Sequence, residues 1–153
     1  MRRVLLFPAF AMILAGAALR AEEPAPPVAD PALARSLGAD ERGMRSYVLV
    51  VLRTGPSRVP DGPDRDAMFA GHFANMKRLA KEGKLAVAGP FRKKDDWRGL
   101  FILAVESEEE AAELVATDPV IERGEMVAEY HPVYATAALM AVPGVHEKIA
   151  PRD

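Results

Sequence analysis

The stretch DAMFAGHFANMKRLAKEGKLAVAGPF, from Asp66 to Phe91, decides how this chain is read. On a wheel advancing about 100° per residue from Phe69, the side chains of Phe73, Met76 and Ala80 fall within roughly 40° of that of Phe69. They form an apolar stripe, with His72 and Leu79 on its shoulder and Met68 and Asn75 flanking the histidine. Asp64 and Asp66 stand at the start and Lys77, Arg78 and Lys81 at the end, the order that the helix dipole favours. Gly83 can take the left-handed conformation that closes a last turn. The predicted order is therefore a helix, a stop at Gly83, a short strand from Lys84 to Gly89 and a Gly89-Pro90-Phe91 corner. Gly71 costs about 1 kcal/mol inside a helix, which marks it as a place of close backbone approach or as nothing at all.

On the N-terminal side, Tyr47 to Leu52 is an apolar, β-branched run and reads as a strand. The loop of Thr54 to Pro63 is rich in Pro and Gly and leads into the helix. On the C-terminal side, Lys93-Lys94-Asp95-Asp96 reads as a charged turn and Leu100 to Val105 as a third strand. Ser107 and Glu110 have capping-box spacing and open a second helix. Asp118-Pro119 interrupts that helix, and Glu125 to Tyr134 makes a fourth strand, in which Pro132 suits a sheet edge. The order βαββαβ points to an α+β, ferredoxin-like sandwich with the first and third strands central. Both faces of the first strand are apolar, yet helices cover only one face of such a sheet. The expected remedy is a second copy packed face to face, a homodimeric α/β barrel.

Beyond residues 44–138 the chain changes character. Arg2 and Arg3 precede an uncharged apolar run from Val4 to Leu19, and small residues follow. This is the pattern of a secretory signal peptide, assigned to residues 1–21, with cleavage after Ala18 or Ala21. The apolar run is short for a membrane span and Pro8 interrupts it, so no span is expected after cleavage. Residues 22–43 are rich in Pro and Ala and read as a flexible tether, with one weak turn at Leu33 to Leu37. Residues 139–153 read as a loose tail. The 153 residues include no cysteine, which excludes disulfides and a lipoprotein anchor. An exported, periplasmic protein is the expectation. Its formal charge of −2, and the absence of any basic patch interleaved with aromatics, argue against nucleic acid as a partner.

Several landmarks then combine: His72 in the first helix, Leu79 to Phe91, Arg98-Gly99 opening the third strand, Asp118-Pro119, and Glu129-Tyr130-His131-Pro132. Their order resembles the YciI-like (YCII-related) proteins of the dimeric α/β-barrel superfamily, over residues 44 to 138. The resemblance implies a barrel dimer with a cleft lined by a histidine and an aspartate, here His72 and Asp118. It also implies small lyase, dehalogenase or isomerase steps on ring-derived compounds for a few members.

The residue types fit that chemistry. A neutral imidazole, with an ordinary pKa of about 6.5, can take a proton near neutral pH. A carboxylate on one ring nitrogen would fix the tautomer and leave the other nitrogen as base. Such a pair suits proton abstraction next to a carbonyl in elimination or isomerisation. Gly89 and Pro90 would wall the cleft, Phe91 would close it, Arg98 could bind a substrate carboxylate, and His131 is a further candidate. Each has a plainer alternative. His72 reads equally as a core histidine held by a carbonyl or by Asn75. Asp118 reads as a helix N-cap with proline at N1. Gly89-Pro90 reads as a strand terminator, and Arg98 as a surface arginine. Tyr130 and His131 must point to opposite faces, so at most one reaches a cleft. No metal-ligand spacing and no glycine-rich phosphate loop stands out, so a cofactor-free site is expected. Two functions compete, an acid–base enzyme using His72 and Asp118 or a non-catalytic dimer binding a small molecule, and a purely structural dimer is a third and weaker reading. The meeting point of ring nitrogen and acid is expected between the sheets of two copies.

Overall fold

Strand β1 carries apolar side chains on both faces, and the fold treats the two faces differently. The computed structural model describes residues 28–93 and 95–151. The elements run α1 (Pro31–Ser36), β1 (Met44–Thr54), α2 (Pro63–Lys81), β2 (Leu85–Pro90) and β3 (Trp97–Leu103). They continue with α3 (Glu108–Ala116), α4 (Pro119–Glu122), β4 (Met126–Thr136), a 3-10 turn (Ala137–Ala141) and α5 (Val142–Ile149). The strands form one antiparallel sheet in the order β2-β3-β1-β4. This is the ferredoxin-like βαββαβ arrangement, with β1 and β3 central. Pro132 lies on the edge strand β4, where its missing N–H costs no ladder bond to a further neighbour.

Val48, Val50 and Leu52 of β1 point to the helices and pack with Phe101 and Leu103 of β3 and with Met68, Leu79, Ala111, Val115 and Val120. Full burial of a side chain such as Leu79 contributes on the order of 2 kcal/mol. Helix α2 ends as its sequence requires. Gly83 takes φ +69°, its N–H reaches the Ala80 carbonyl, and the Lys84 N–H reaches that of Leu79. At α3, Ser107 Oγ accepts the Glu110 N–H at 3.2 Å, but the Glu110 carboxylate turns to Lys84 Nζ at 2.7 Å instead of completing the capping box.

The other sheet face gathers Tyr47, Ala86 and Ala104 with Ile102, Val133 and Ala135. The segment that begins at Leu139, expected to be loose, starts by packing against it. Leu139 and Met140 pack on this second cluster, the Ala137 N–H bonds the Gly43 carbonyl, and Pro143 starts α5 instead of breaking a helix. The tether is likewise partly ordered. Asp30 caps α1 by accepting the Ala32 and Leu33 N–H groups, and Arg45 donates to the Leu37 carbonyl at 3.1 Å. The segment assigned to a signal peptide lies outside the described residues; among the described residues no helix is long and apolar enough to cross a membrane.

Candidate functional site

The buried line of α2 is Met68, His72, Asn75 and Leu79. The helix is rotated from the expected stripe: Phe73 is 56% exposed, while His72 is only 8% exposed. Arg65 explains part of the rotation, because its guanidinium lies 4.9 Å over the Phe69 ring and holds that ring at the flank. The imidazole stacks on Phe101 of β3 at 5.9 Å and meets Phe69 edge-on at 6.2 Å.

Asp118 is completely buried beneath it. His72 Nδ1 lies 2.8 Å from Asp118 Oδ2, and Asn75 Nδ2 donates to the same oxygen at 3.3 Å. Asp118 Oδ1 accepts the Val120 N–H at 3.1 Å, capping α4. One carboxylate oxygen thus caps α4, as the plain reading has it, and the other faces His72 and Asn75. The amide of Asn75 has its orientation set by Arg78, which can only donate and whose Nη2 reaches Asn75 Oδ1 at 2.7 Å. Asn75 thus offers its NH2 to Asp118. A carboxylate already receiving two N–H donors serves His72 as an acceptor, so Nδ1 carries the proton and Nε2 is left as the basic nitrogen. Among the described residues no hydrogen bond engages Nε2.

Gly71 is what lets this pair form. A Cβ there would stand 2.9 Å from Pro119 Cγ, so only glycine allows the start of α4 to come this close to α2.

The imidazole lines a cavity of about 360 Å³ between α2 and the sheet. Gly89, Pro90, Phe91 and Arg98 line the same cavity, which brings the first group of sequence candidates to one place. Its floor exists because β3 has a glycine where a side chain would face the helices: Gly99 is flanked by Leu52 on β1 and Pro90 on β2. The cavity lies within one chain, on the helix side of the sheet, and not between two sheets as the sequence suggested. His131 does not belong to it. It pairs with Leu49, which puts its side chain on the opposite sheet face, exposed, while Tyr130 pairs with Val50 and packs on the helix-side core. A comparable hollow of about 400 Å³ lies along the Ser57–Asp64 loop against Arg123 and holds neither member of the His–Asp pair.

One residue at the site gave no signal in the sequence. Glu125 is only 2% exposed. Its Oε2 accepts the Val59 N–H at 2.8 Å, and Oε1 pairs with Arg65 at 2.8 Å and faces Arg98 at 3.7 Å. Burial pushes its carboxyl up, but the Val59 N–H and the two guanidinium groups outweigh burial and hold it below the ordinary value.

The profile of the YCII-related domain matches residues 44–133. The chain belongs to that family. It is 38% identical over 81 residues to the uncharacterized protein YjpA of Bacillus subtilis (strain 168), an overlap covering 53% of this chain and 85% of that protein. Among solved structures it is similar to 5-chloro-2-hydroxyhydroquinone dehydrochlorinase (TftG) from Burkholderia phenoliruptrix AC1100, in complex with 2,5-dihydroxybenzoquinone. That likeness has a TM-score of 0.41 and 23% identity, covering 55% of this chain and 90% of the other.

Proposed function

We propose that this YCII-related protein is a cofactor-free acid–base enzyme of the lyase or isomerase type, acting on a small organic substrate. His72 Nε2 takes a proton from a carbon next to a carbonyl, and the C–H electron pair passes into the adjacent bond. In an elimination those electrons expel a leaving group from the neighbouring carbon. In an isomerisation the imidazolium returns the proton to a different carbon. Asp118 holds the Nδ1–H and stabilises the imidazolium that forms. The observation that carries this reading is the 2.8 Å contact between a buried carboxylate and one nitrogen of a histidine that lines the cavity. The experiment is a thermal-shift screen of small carbonyl compounds, followed by turnover assays on hits. His72→Ala should fold as the wild type does and lose turnover; a fully active variant would end the reading.

The same proposal includes export and assembly. The Arg2-Arg3 start and the apolar run to Leu19 support secretion to the periplasm. N-terminal sequencing of protein from cell fractions tests this, and an intact Met1 in the cytoplasm contradicts it. Ile102, Val133 and Ala135 stay partly exposed on this sheet face beside the packed Leu139 and Met140, and they support a homodimer, which a monomeric sedimentation coefficient at micromolar concentration would refute.

A further inference from the structure

We infer that the cavity binds a carboxylate, and that Arg98 is the residue that receives it. Strict alternation along β3 would send Arg98 to the sheet face opposite Gly99. Instead the register slips there: Leu52 pairs with Gly99 and Arg53 with Trp97, so that Arg98 is the extra residue of a β-bulge. A bulge turns the side chain, and that of Arg98 lines the cavity on the helix side.

The charges around it leave this arginine unspent. Glu125 is already engaged through both oxygens, by Arg65 and by the Val59 N–H. Arg98 stands 3.7 Å from it, near enough to be held in place and too far for a hydrogen bond. Among the described residues no side-chain hydrogen bond engages the Arg98 guanidinium, although its side chain is only 26% exposed. Asp61, the other carboxylate on Arg65, is 82% exposed and screened by solvent. Arg98, Arg65 and Glu125 together therefore carry one excess positive charge, while the Asp118 carboxylate lies beneath the His72 ring with both oxygens engaged. Apart from His72, the rest of the lining is uncharged. A planar fork of N–H donors in a partly desolvated cavity matches a two-oxygen anion, and Phe69, Phe73 and Phe101 provide apolar contact for the body behind it. This inference shares with the general-base reading only the premise that the ligand occupies this cavity.

Trp97, the single tryptophan of the chain, lies 5.1 Å from the Phe91 ring on the cavity wall and reports occupancy by its fluorescence. The probes are benzoate and its neutral isostere benzamide, titrated at constant ionic strength. Benzoate should bind at least about tenfold more tightly. Arg98→Gln should abolish that preference while leaving benzamide affinity unchanged, which also shows that the variant is folded. Arg98→Lys should restore only part of the preference, because an ammonium lacks the fork. His72→Asn should keep the preference, so that a failure of proton abstraction and a failure of anion binding are read separately. Equal affinity for the two probes, no saturable response to benzoate, or wild-type benzoate binding by Arg98→Gln would overturn the inference.

Discussion

Gly71 and Pro119 occupy one another's space: the side chain that Gly71 lacks would stand 2.9 Å from Pro119 Cγ. Glycine in the third turn of α2 thus lets Asp118 approach His72 from the next layer. Gly71→Ala sets a gain of about 1 kcal/mol in helix propensity against a clash with a rigid ring. The expected net effect is a loss of about 1–2 kcal/mol in urea unfolding. Turnover should fall by about a hundredfold, because the displaced aspartate no longer orients the imidazole.

The two oxygens of Asp118 do separate work, and two substitutions separate them. Asparagine is a good N-cap, so Asp118→Asn should keep the cap and lose only the pairing of the Asn75 NH2, at about 1–3 kcal/mol. It should nevertheless lose about a hundredfold or more in turnover, since the amide can donate to Nδ1 and force the proton onto Nε2. Asp118→Ala should in addition lose about 1 kcal/mol of capping and leave the His72 and Asn75 donors unpaired, at about 1–3 kcal/mol. Equal stability of the two variants would show that the cap is unimportant.

Arg78 acts on the site at one remove. Its bond to Asn75 Oδ1 keeps the Asn75 NH2 on Asp118. Asn75→Leu removes one donor from the buried carboxylate and should lower kcat by about tenfold with KM nearly unchanged. A change confined to KM would place Asn75 in substrate binding instead.

Glu125 sets a pH dependence. Burial alone would raise its carboxyl, but the Val59 N–H, Arg65 and Arg98 hold the folded value below the ordinary 4.5. A depressed folded value means that the ion cluster contributes its stability above about pH 4.5 and loses it as the pH falls through the folded value. Urea unfolding between about pH 3 and 7 should show this acid limb, and Glu125→Gln should be less stable at neutral pH with a flatter limb. An unchanged limb in the variant would assign the acid sensitivity to other carboxylates.

What could be read in the sequence was local. The Gly83 stop, the Ser107 cap, the Asp118-Pro119 helix start and the apolar run of β1 each depend on neighbours a few residues away, and each forms where its chemistry requires. The pairing of His72 with Asp118 spans 46 positions, and only the family resemblance joined them. What was not legible depends on distant partners. Phe73 is exposed because α2 is rotated by contacts such as Arg65 on Phe69. His131 faces away from the cavity because its pairing with Leu49 sets its side. Glu125 looks like an exposed acid at a strand entry until Val59 and Arg65 arrive from the other end of the domain. The C-terminal residues look loose because the surface that orders Leu139 and Met140 belongs to the sheet.

The most direct measurement is the protonation of the His72 ring, read from its two nitrogen-15 shifts above its titration. The account predicts a neutral ring with the proton on Nδ1, facing Asp118, and a bare Nε2 that shifts when a ligand enters the cavity. A proton on Nε2, with Nδ1 bare against Asp118, would contradict it.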